Sequence, residues 1–321
     1  MLYAVLKIIA RLAAKIYFRK IIINKADLLK EKGPLLLACS HPNSFLDAIV
    51  LDILFEKPIW SLTRGDVFLS ARVARLFNKL KMLPVYRPSE GVENLSENYK
   101  TFETCIGLFR KNEIVLIFSE GLCVNEWHLR SLKKGTARLA YRCRQDDILL
   151  KILPVGINYS SYKRFGKNLF INFGNLVLVK EFDKELSDGN FNQAFNSWLN
   201  NELRQLVYEI PNKDRRKQKE LLEIKISIQK KGLLFFPAII GFIIHAPLYL
   251  PIKAWVQKKY SNDIHVDSMQ FALSVVFYPF YLGLIFFLSY LINQSIVSLL
   301  VFLILPFTAW SYVQLKNQFD D

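Results

Sequence analysis

Side chains that bind metals or form disulfides are scarce in this sequence. Its 321 residues include four cysteines and four histidines, and no two cysteines have the C-x-x-C spacing of zinc or redox motifs. We therefore expect no metal site and a protein kept in its reduced form. Glycine-rich phosphate loops of the P-loop or dinucleotide-binding type are also missing, so no resident cofactor is expected.

Charge is missing from one long part of the chain. Residues 268–315 contain no Asp, Glu, Lys or Arg, and a polar break at 293–295 divides them into two segments of membrane-spanning length. This pattern predicts transmembrane helices over residues 270–291 and 296–315. Residues 232–252 are also uncharged but contain three prolines. This segment is expected either to span the membrane or to re-enter it.

Positive charge is concentrated next to these apolar segments. Basic residues are frequent in the segment 212–231. They recur in 253–260 and at Lys316, whereas the break near 293 has none. Such segments contact anionic lipid headgroups and stay in the cytoplasm. We therefore expect a membrane domain, 232–321, that enters and leaves from the cytoplasmic face, which in a bacterium is that of the inner membrane. The net charge of +15 could also attract nucleic acid. Without a zinc-finger, RRM or KH signature, we expect no nucleic-acid partner.

The first 26 residues form a predicted amphipathic helix. Apolar residues recur at helical spacing, and Lys7, Arg11 and Lys15 are four residues apart. Such a helix can lie in the membrane interface with its cations toward anionic headgroups, and packing on its own domain is the alternative. Charge interrupts it too often for a spanning helix.

Short β-rich apolar runs alternate with helical patterns between residues 27 and 211. This alternation predicts an α/β domain with a mainly parallel central sheet flanked by helices. The predicted strands are residues 35–39, 59–62, 82–86, 114–118, 152–157 and 169–173. The predicted helices lie near residues 45–55, 66–80, 92–111, 133–144 and 191–208.

One of the four histidines, His41, lies where a catalytic residue is expected. His41 follows a predicted strand and precedes a predicted helix, so it lies at the carboxyl end of a strand, where α/β sheets bind ligands. Asp47, six positions on, could hold the far imidazole nitrogen so that the ring removes a proton from a hydroxyl. An Asp that caps the helix beside an incidental His would give the same pattern. His245 lies in an apolar run and is expected to be packed, and His128 and His265 have no obvious partner.

Four short blocks in order give a stronger signal than this pair. They are His41-Pro-Asn-Ser-Phe-Leu-Asp47, Leu83-Pro-Val-Tyr-Arg87, Ile117-Phe-Ser-Glu-Gly121 and Leu153-Pro-Val-Gly-Ile157. In sequence and order they resemble the signature blocks of the glycerolipid acyltransferases, the family of the glycerol-3-phosphate and 1-acylglycerol-3-phosphate acyltransferases. The blocks span about residues 35–160, and the resemblance implies the α/β fold of those enzymes.

The resemblance also implies a reaction and a set of site residues. By resemblance, His41 is the general base and Asp47 its orienting partner in direct transfer of a fatty acyl group from acyl-CoA or acyl-carrier protein. The acceptor would be a hydroxyl of glycerol-3-phosphate or 1-acylglycerol-3-phosphate in phospholipid biosynthesis. Arg87 and the turn Glu120-Gly121 would bind this acceptor. A surface salt bridge for Arg87 and a helix cap for Glu120 are the structural alternatives.

Two departures from the family's pattern leave the acceptor open. Five residues rather than the usual four separate the histidine from the aspartate, a spacing that some glycerol-3-phosphate acyltransferases share. The third block continues Leu122-Cys123 where the family usually has Thr-Arg, so a cation is missing. Arg130 and Lys134 are the candidates to replace it. The alternatives are an aminolipid or another lysolipid as acceptor, and a non-enzymatic lipid-binding protein that retains the fold.

Overall fold

A mixed β-sheet of eight strands forms the centre of the described chain. The computed structural model describes residues 2–86, 97–183, 185–211, 213–261 and 263–320. The strands are β1 (Lys20–Ile23), β2 (Leu35–Cys39), β3 (Ile59–Arg64), β4 (Met82–Val85), β5 (Ile114–Phe118), β6 (Lys151–Tyr159), β7 (Asn168–Phe173) and β8 (Val177–Leu178).

The sheet is mainly parallel, as the sequence predicts. Five strands run parallel in the order β6-β2-β5-β3-β4. On the outer side of β6, β7 and the short β8 pair antiparallel with it, and β1 pairs parallel with β7. β2 therefore lies between β5 and β6, with Leu35 paired to Ile114 and to Lys151. The carboxyl ends of all five parallel strands meet at one edge, which brings the sequence blocks together.

Both faces of the sheet are covered. Leu35, Leu37 and Cys39 belong to the core on one face, whereas Leu36 and Ala38 belong to the core on the other. Burial on both faces explains why β2 is a continuous apolar run. The helices of the α/β domain are α1 (Leu2–Tyr17), α2 (Ser44–Leu54), α3 (Ala71–Lys79), α4 (Glu97–Arg110), α5 (Gly135–Gln145), α6 (Asp188–Leu206) and α7 (Arg215–Leu222). The first face packs against α1 and α2, and the second against α4, α5 and α6.

Three further helices in the described ranges are long and apolar enough to cross a membrane. They are α8 (Ile228–Lys259), α9 (Val266–Asn293) and α10 (Val301–Leu315), the last preceded by a 3-10 turn at Ile296–Leu300. The predicted segment 232–252 lies inside the single long helix α8. We call α9 and α10 together the membrane hairpin.

The core of the α/β domain continues into these helices. Phe271 of α9 and Val313 of α10 are buried in the same cluster as Leu35 and Leu37 of the sheet. Ala14 of α1 belongs to this cluster as well. The predicted domain limits at residues 27 and 211 therefore do not coincide with a break in the packed core.

The predicted helix over residues 1–26 is shorter in the structure. It ends at Tyr17, and residues 20–23 form the edge strand β1 instead. The Arg19 amide donates a 2.9 Å hydrogen bond to the Lys167 carbonyl, which starts the pairing with β7. Three successive isoleucines then favour an extended strand, because β-branched side chains fit a pleated sheet better than a helix.

Two of the three cations of α1, Lys7 and Arg11, contact the protein, which differs from the expected contact with headgroups. Arg11 Nε donates a 2.7 Å hydrogen bond to the Ile53 carbonyl, and Lys7 lies 3.6 Å from the Asp52 carboxylate. The last carbonyls of α2 lack helical partners and carry partial negative charge, which attracts these cations. The exposed side of α1 includes the large apolar side chains of Leu2, Val5, Ile8 and Leu12 together with Lys15.

A candidate active site at the end of the second strand

The segment that follows β2, residues 40–46, holds His41 at the carboxyl edge of the sheet. It consists of a short loop and the first residues of α2, and we call it the His41 loop. The Ser40 amide donates to the Val155 carbonyl at 3.0 Å, and the Ser40 hydroxyl accepts the Ile157 amide at 3.0 Å. The His41 ring then stacks on Phe118, with 3.7 Å between ring centroids. These contacts with β5 and β6 fix both the backbone and the ring plane of His41.

His41 and Asp47 form a hydrogen-bonded pair. The His41 Nδ1 and the Asp47 Oδ2 are 2.9 Å apart, and the two side chains are 13% and 0% exposed. Ser44 has a φ of 48°, so a left-handed turn leads the chain from the loop into α2. This turn accommodates the five-residue spacing and brings the carboxylate of the first helical turn back to the imidazole.

Three donors surround the Asp47 carboxylate. Its Oδ2 accepts from the backbone amide of Asn43 at 2.8 Å as well as facing His41, and its Oδ1 accepts from the Tyr159 hydroxyl at 2.8 Å. Burial, followed by the negative charge of Asp47, raises the pKa of Tyr159 well above its ordinary value. Tyr159 therefore stays protonated and remains a donor, and Asp47 is fixed on both oxygens.

The third sequence block supports the same loop from the other side. The Glu120 carboxylate is buried, and it accepts from the His41 amide at 2.8 Å and from the Arg130 amide at 3.1 Å. Burial raises the pKa of Glu120, and those two hydrogen bonds oppose the rise. Gly121 has a φ of 63°, and its amide donates to the Phe118 carbonyl at 3.0 Å. Glu120 and Gly121, expected to contact an acceptor, thus make bonds that shape the site.

The cationic residues that were predicted to bind the acceptor differ in their position relative to His41. Arg130 contributes its backbone amide to Glu120, and its guanidinium pairs with Glu126. Lys134 is exposed where α5 begins. Arg87 lies outside the described residues. Of the predicted site residues, the structure brings His41, Asp47, Glu120, Gly121 and Arg130 together.

Several residues at this site were missed by sequence reasoning. Tyr159 is the last residue of β6 and lies two residues beyond the fourth block. Its position at the carboxyl end of a parallel strand could have identified it as a site residue. Asp267 accepts a 2.6 Å hydrogen bond from the Asn43 side chain. A carboxylate is costly to place next to a membrane helix, so Asp267, which directly precedes the uncharged segment, could have been identified from the sequence as a functional residue.

The two histidines expected to lack a partner both have one. The His128 Nδ1 lies 2.6 Å from Glu209 on the surface. The His265 Nδ1 contacts the Ser44 hydroxyl in the His41 loop. Burial lowers the pKa of His265, the charge of Asp263 opposes this, and the charges of Arg64 and His41 lower it further. His265 is therefore joined to the His41 loop by its contact with Ser44.

Two cavities adjoin the site. A small cleft of about 240 Å³ is lined by His41, Glu120, Glu126 and His128 among others. A larger, apolar cavity of about 810 Å³ lies between α1, α8 and the membrane hairpin. Its wall includes Tyr17, whose hydroxyl donates to Asp267 at 2.6 Å. The apolar cavity thus reaches residues that contact the His41 loop.

Chemically, the arrangement can remove a proton from a neutral group. The Nδ1 nitrogen of His41 is held by a carboxylate, so Nε2 is the atom that can accept a proton.

In the described ranges, no group of three or more His, Cys, Asp and Glu side chains has a geometry that could hold a metal ion.

Comparisons with known proteins give one family match and one structural likeness. Residues 20–158 match the family model described as Acyltransferase. Among solved structures, the chain is similar to the 1-acyl-sn-glycerophosphate (LPA) acyltransferase PlsC from Thermotoga maritima. That likeness has a TM-score of 0.44 and 14% sequence identity, and it covers 63% of this chain and 79% of that chain.

Proposed function

We propose, from the premise that this chain belongs to the glycerolipid acyltransferase family, that it acylates glycerol-3-phosphate or 1-acylglycerol-3-phosphate at the membrane. The acyl donor is an acyl thioester, either acyl-CoA or acyl-carrier protein. The observation that carries the proposal is the 2.9 Å contact between His41 and the fully buried Asp47, inside the segment that matches the family model.

The reaction uses His41 as the general base. Its Nε2 takes the proton of the acceptor hydroxyl while the oxygen attacks the thioester carbonyl carbon. The carbon–sulfur bond then breaks, and the thiolate leaves with the proton that the imidazolium returns. Asp47 keeps the Nδ1–H directed away from the acceptor and stabilises the imidazolium as it forms. The products are an ester and a free thiol, and every proton is accounted for.

The phosphate of the acceptor requires cations near the site. Arg130, Lys134 and Arg87 are the proposed ligands. Arginine can grip a phosphate through two parallel hydrogen bonds. We expect Arg130→Ala and Lys134→Ala each to raise the KM for a phosphorylated acceptor about tenfold. The KM for the acyl donor should stay the same in both variants.

One observation favours the second candidate acceptor. Cys123, which stands where the family usually has arginine, is buried, and its Sγ lies 2.8 Å from the Ser44 amide. A thiol at that position supplies no charge for a phosphate. An aminolipid or another lysolipid with a free hydroxyl is therefore the alternative acceptor, and it requires no change in the roles of His41 and Asp47.

We propose that the membrane hairpin crosses the bilayer while α8 lies along its cytoplasmic surface. Lys230, near the start of α8, donates a 3.0 Å hydrogen bond to Gln314 at the end of α10. Gln314 in turn donates to the Arg19 carbonyl at 3.0 Å, beside the sheet. The other end of α8 connects through residues 260–265 to the buried first turn of α9. Both ends of α8 therefore lie at the level of the α/β domain, which supports an interfacial position.

The apolar cavity is the proposed site of an acyl chain. Its walls come from helices that we place in or on the membrane, so a chain could enter directly from the lipid. The exposed apolar face of α1, with Leu2, Val5, Ile8 and Leu12, adds a second contact with the bilayer.

The experiment is an acyl-transfer assay with the full chain in membranes or detergent. Labelled acyl-CoA and acylated carrier protein would each be offered with glycerol-3-phosphate, its 1-acyl derivative, lysophospholipids and hydroxylated aminolipids. Wild type should form one acylated product, and His41→Ala should not. Asp52→Ala is the control, because this carboxylate contacts Tyr3 and Lys7 near the other end of α2 and lines neither cavity.

The outcomes separate the candidates. Product with a glycerol phosphate supports the proposal, and product with an aminolipid alone selects the alternative acceptor. Equal turnover by wild type and His41→Ala removes His41 from the mechanism. Lipid binding without transfer to any acceptor would identify a non-enzymatic lipid-binding protein.

A further inference from the structure

The first turn of α9 is built into the His41 loop. Asp267 and Ser268 are both fully buried, although they begin the helix that continues into the uncharged segment. Their side chains contact residues 43 and 46, more than two hundred positions earlier in the chain. The matched acyltransferase segment ends at residue 158, so α9 lies outside it.

Asn43 connects Asp267 with Asp47. Its side-chain Nδ2 donates to the Asp267 Oδ2 at 2.6 Å, and its backbone amide donates to the Asp47 Oδ2 at 2.8 Å. The same Asp47 oxygen faces His41. One residue therefore holds a carboxylate of α9 through its side chain and the orienting carboxylate of His41 through its backbone.

Ser268 fixes the same loop through its hydroxyl. It donates to the Asn43 carbonyl at 3.1 Å and accepts from the Leu46 amide at 3.3 Å. Asn43 is thus held by α9 through both its side chain and its carbonyl. A residue held in this way cannot rotate without breaking contacts to the membrane hairpin.

The charge of Asp267 has a buried partner. Lys167, also fully buried, pairs with the Asp267 Oδ2, and the Tyr17 hydroxyl donates to Oδ1 at 2.6 Å. The Lys167 ammonium also lies 4.9 Å from the centre of the Tyr159 ring. A buried ion pair of this kind is costly to form, and removing one partner is more costly still. The pair is connected to the site by the hydrogen bond between the Asn43 side chain and Asp267.

We infer that Asp267 is a positioning residue for the His41–Asp47 pair, acting through Asn43, and that the membrane hairpin is a working part of the active site. The inference rests on the proposed function for its activity readout. In this arrangement α9 does not touch the reacting atoms. It holds Asn43 so that Asp47 keeps the imidazole in its productive orientation.

The test compares two double variants that both remove the buried charges. Lys167→Met with Asp267→Asn leaves an oxygen that can accept from Asn43. Lys167→Met with Asp267→Leu leaves none. Because neither carries an unpaired buried charge, both are expected to fold, which circular dichroism and thermal unfolding would check.

We expect kcat to fall about 100-fold in the leucine variant, with the KM for each substrate unchanged, because small misplacements of a catalytic group have effects of this size. The asparagine variant should stay within about fivefold of wild type. Ser268→Ala should also lower kcat. Ser311→Ala is its matched control, because that buried hydroxyl donates to the Phe307 carbonyl of its own helix, α10, and does not contact the His41 loop.

Amide hydrogen exchange provides a readout that does not depend on the reaction. Peptides covering the His41 loop should exchange faster in the leucine variant than in the asparagine variant. Equal exchange and equal kcat in the two double variants would overturn the inference. If the wild type transfers no acyl group to any acceptor while the exchange difference is present, the proposed function fails and the positioning of the loop by α9 stands.

Discussion

The Tyr159 hydroxyl donates a 2.8 Å hydrogen bond to Oδ1 of Asp47, the carboxylate oxygen opposite the one that faces His41. Asp47 is thereby held from two sides, by the loop that carries the histidine and by the end of β6. The orientation of His41 consequently depends on a strand that lies more than one hundred residues away in sequence.

Tyr159→Phe tests this relationship. The substitution leaves Oδ1 of a fully buried carboxylate without its hydroxyl donor, so kcat should fall about tenfold and stability by about 1–3 kcal/mol. Steady-state kinetics and thermal unfolding would measure the two effects. Tyr162→Phe is the control, because the Tyr162 hydroxyl donates to the Glu126 carbonyl at 2.8 Å. A loss of kcat as large in the control would count against the specific role of Tyr159.

Asp47→Asn should be much more damaging to turnover. An amide NH2 facing Nδ1 favours the tautomer with its proton on Nε2, and this blocks proton removal from the acceptor. We expect kcat to fall by about 10³–10⁴, with little change in KM. Asp52→Asn, five residues along the same helix, is the control because Asp52 contacts Tyr3 and Lys7. Turnover of Asp47→Asn near that of wild type would contradict the mechanism.

Ala246→Phe should change the preferred length of the acyl chain. Ala246 lines the apolar cavity, so a phenyl ring would shorten the space available to a chain. One methylene in such a cavity is worth roughly 10-fold to 200-fold in selectivity. A competition assay with mixed acyl thioesters should show a shift toward shorter chains. Ile243→Phe, at an exposed position of the same helix, should leave the preference unchanged.

Gly241→Ala should weaken the contact between α8 and α10. A Cβ at Gly241 would lie 2.1 Å from the Thr308 carbonyl oxygen, so the helices would have to separate. We expect a loss of about 1–3 kcal/mol, measured by thermal unfolding in detergent. Gly232→Ala is the matched control in α8, because its Cβ would meet no described atom within 4 Å beyond its own stretch of helix. Equal stability of the two variants would rule out close packing at Gly241.

His265 should make stability depend on pH. Its folded pKa lies below the ordinary value of 6.5, so as pH falls the unfolded chain takes up the proton first. The stability contributed by the neutral ring is fully present above the unfolded pKa of 6.5. It is lost as the pH decreases from 6.5 toward the lower folded pKa. The unfolding temperature should therefore fall less between about pH 7.5 and about pH 5.5 in His265→Gln than in wild type.

Sequence patterns located the buried strands well. β2 and β5 have the predicted bounds, because continuous apolar runs between polar turns describe strands buried on both faces. β1 was missed because its four residues follow directly on an amphipathic helix, and their partner strand β7 is distant in sequence. An edge strand of this kind is defined by its partner and has little local signal of its own.

The site was only partly accessible from the sequence. The spacing of His41 and Asp47 allowed their contact, and block order placed Glu120 beside them. The Asn43–Asp267 contact joins residues 224 positions apart, and local spacing cannot indicate such a pair. Glu120 shows a second limit. A carboxylate in a signature block suggests a ligand contact, whereas its two backbone acceptor bonds are visible only in three dimensions.

The burial of Lys167 also determines how this protein can be shortened. A chain cut at the end of the α/β domain would keep Lys167 and lose Asp267, which would leave an ammonium group without its counter-ion in an apolar interior. It would also uncover the part of the core that Phe271 and Val313 now close. Soluble fragments for crystallisation or screening should therefore include Lys167→Met and polar replacements at the uncovered positions. Without them, we expect such fragments to aggregate.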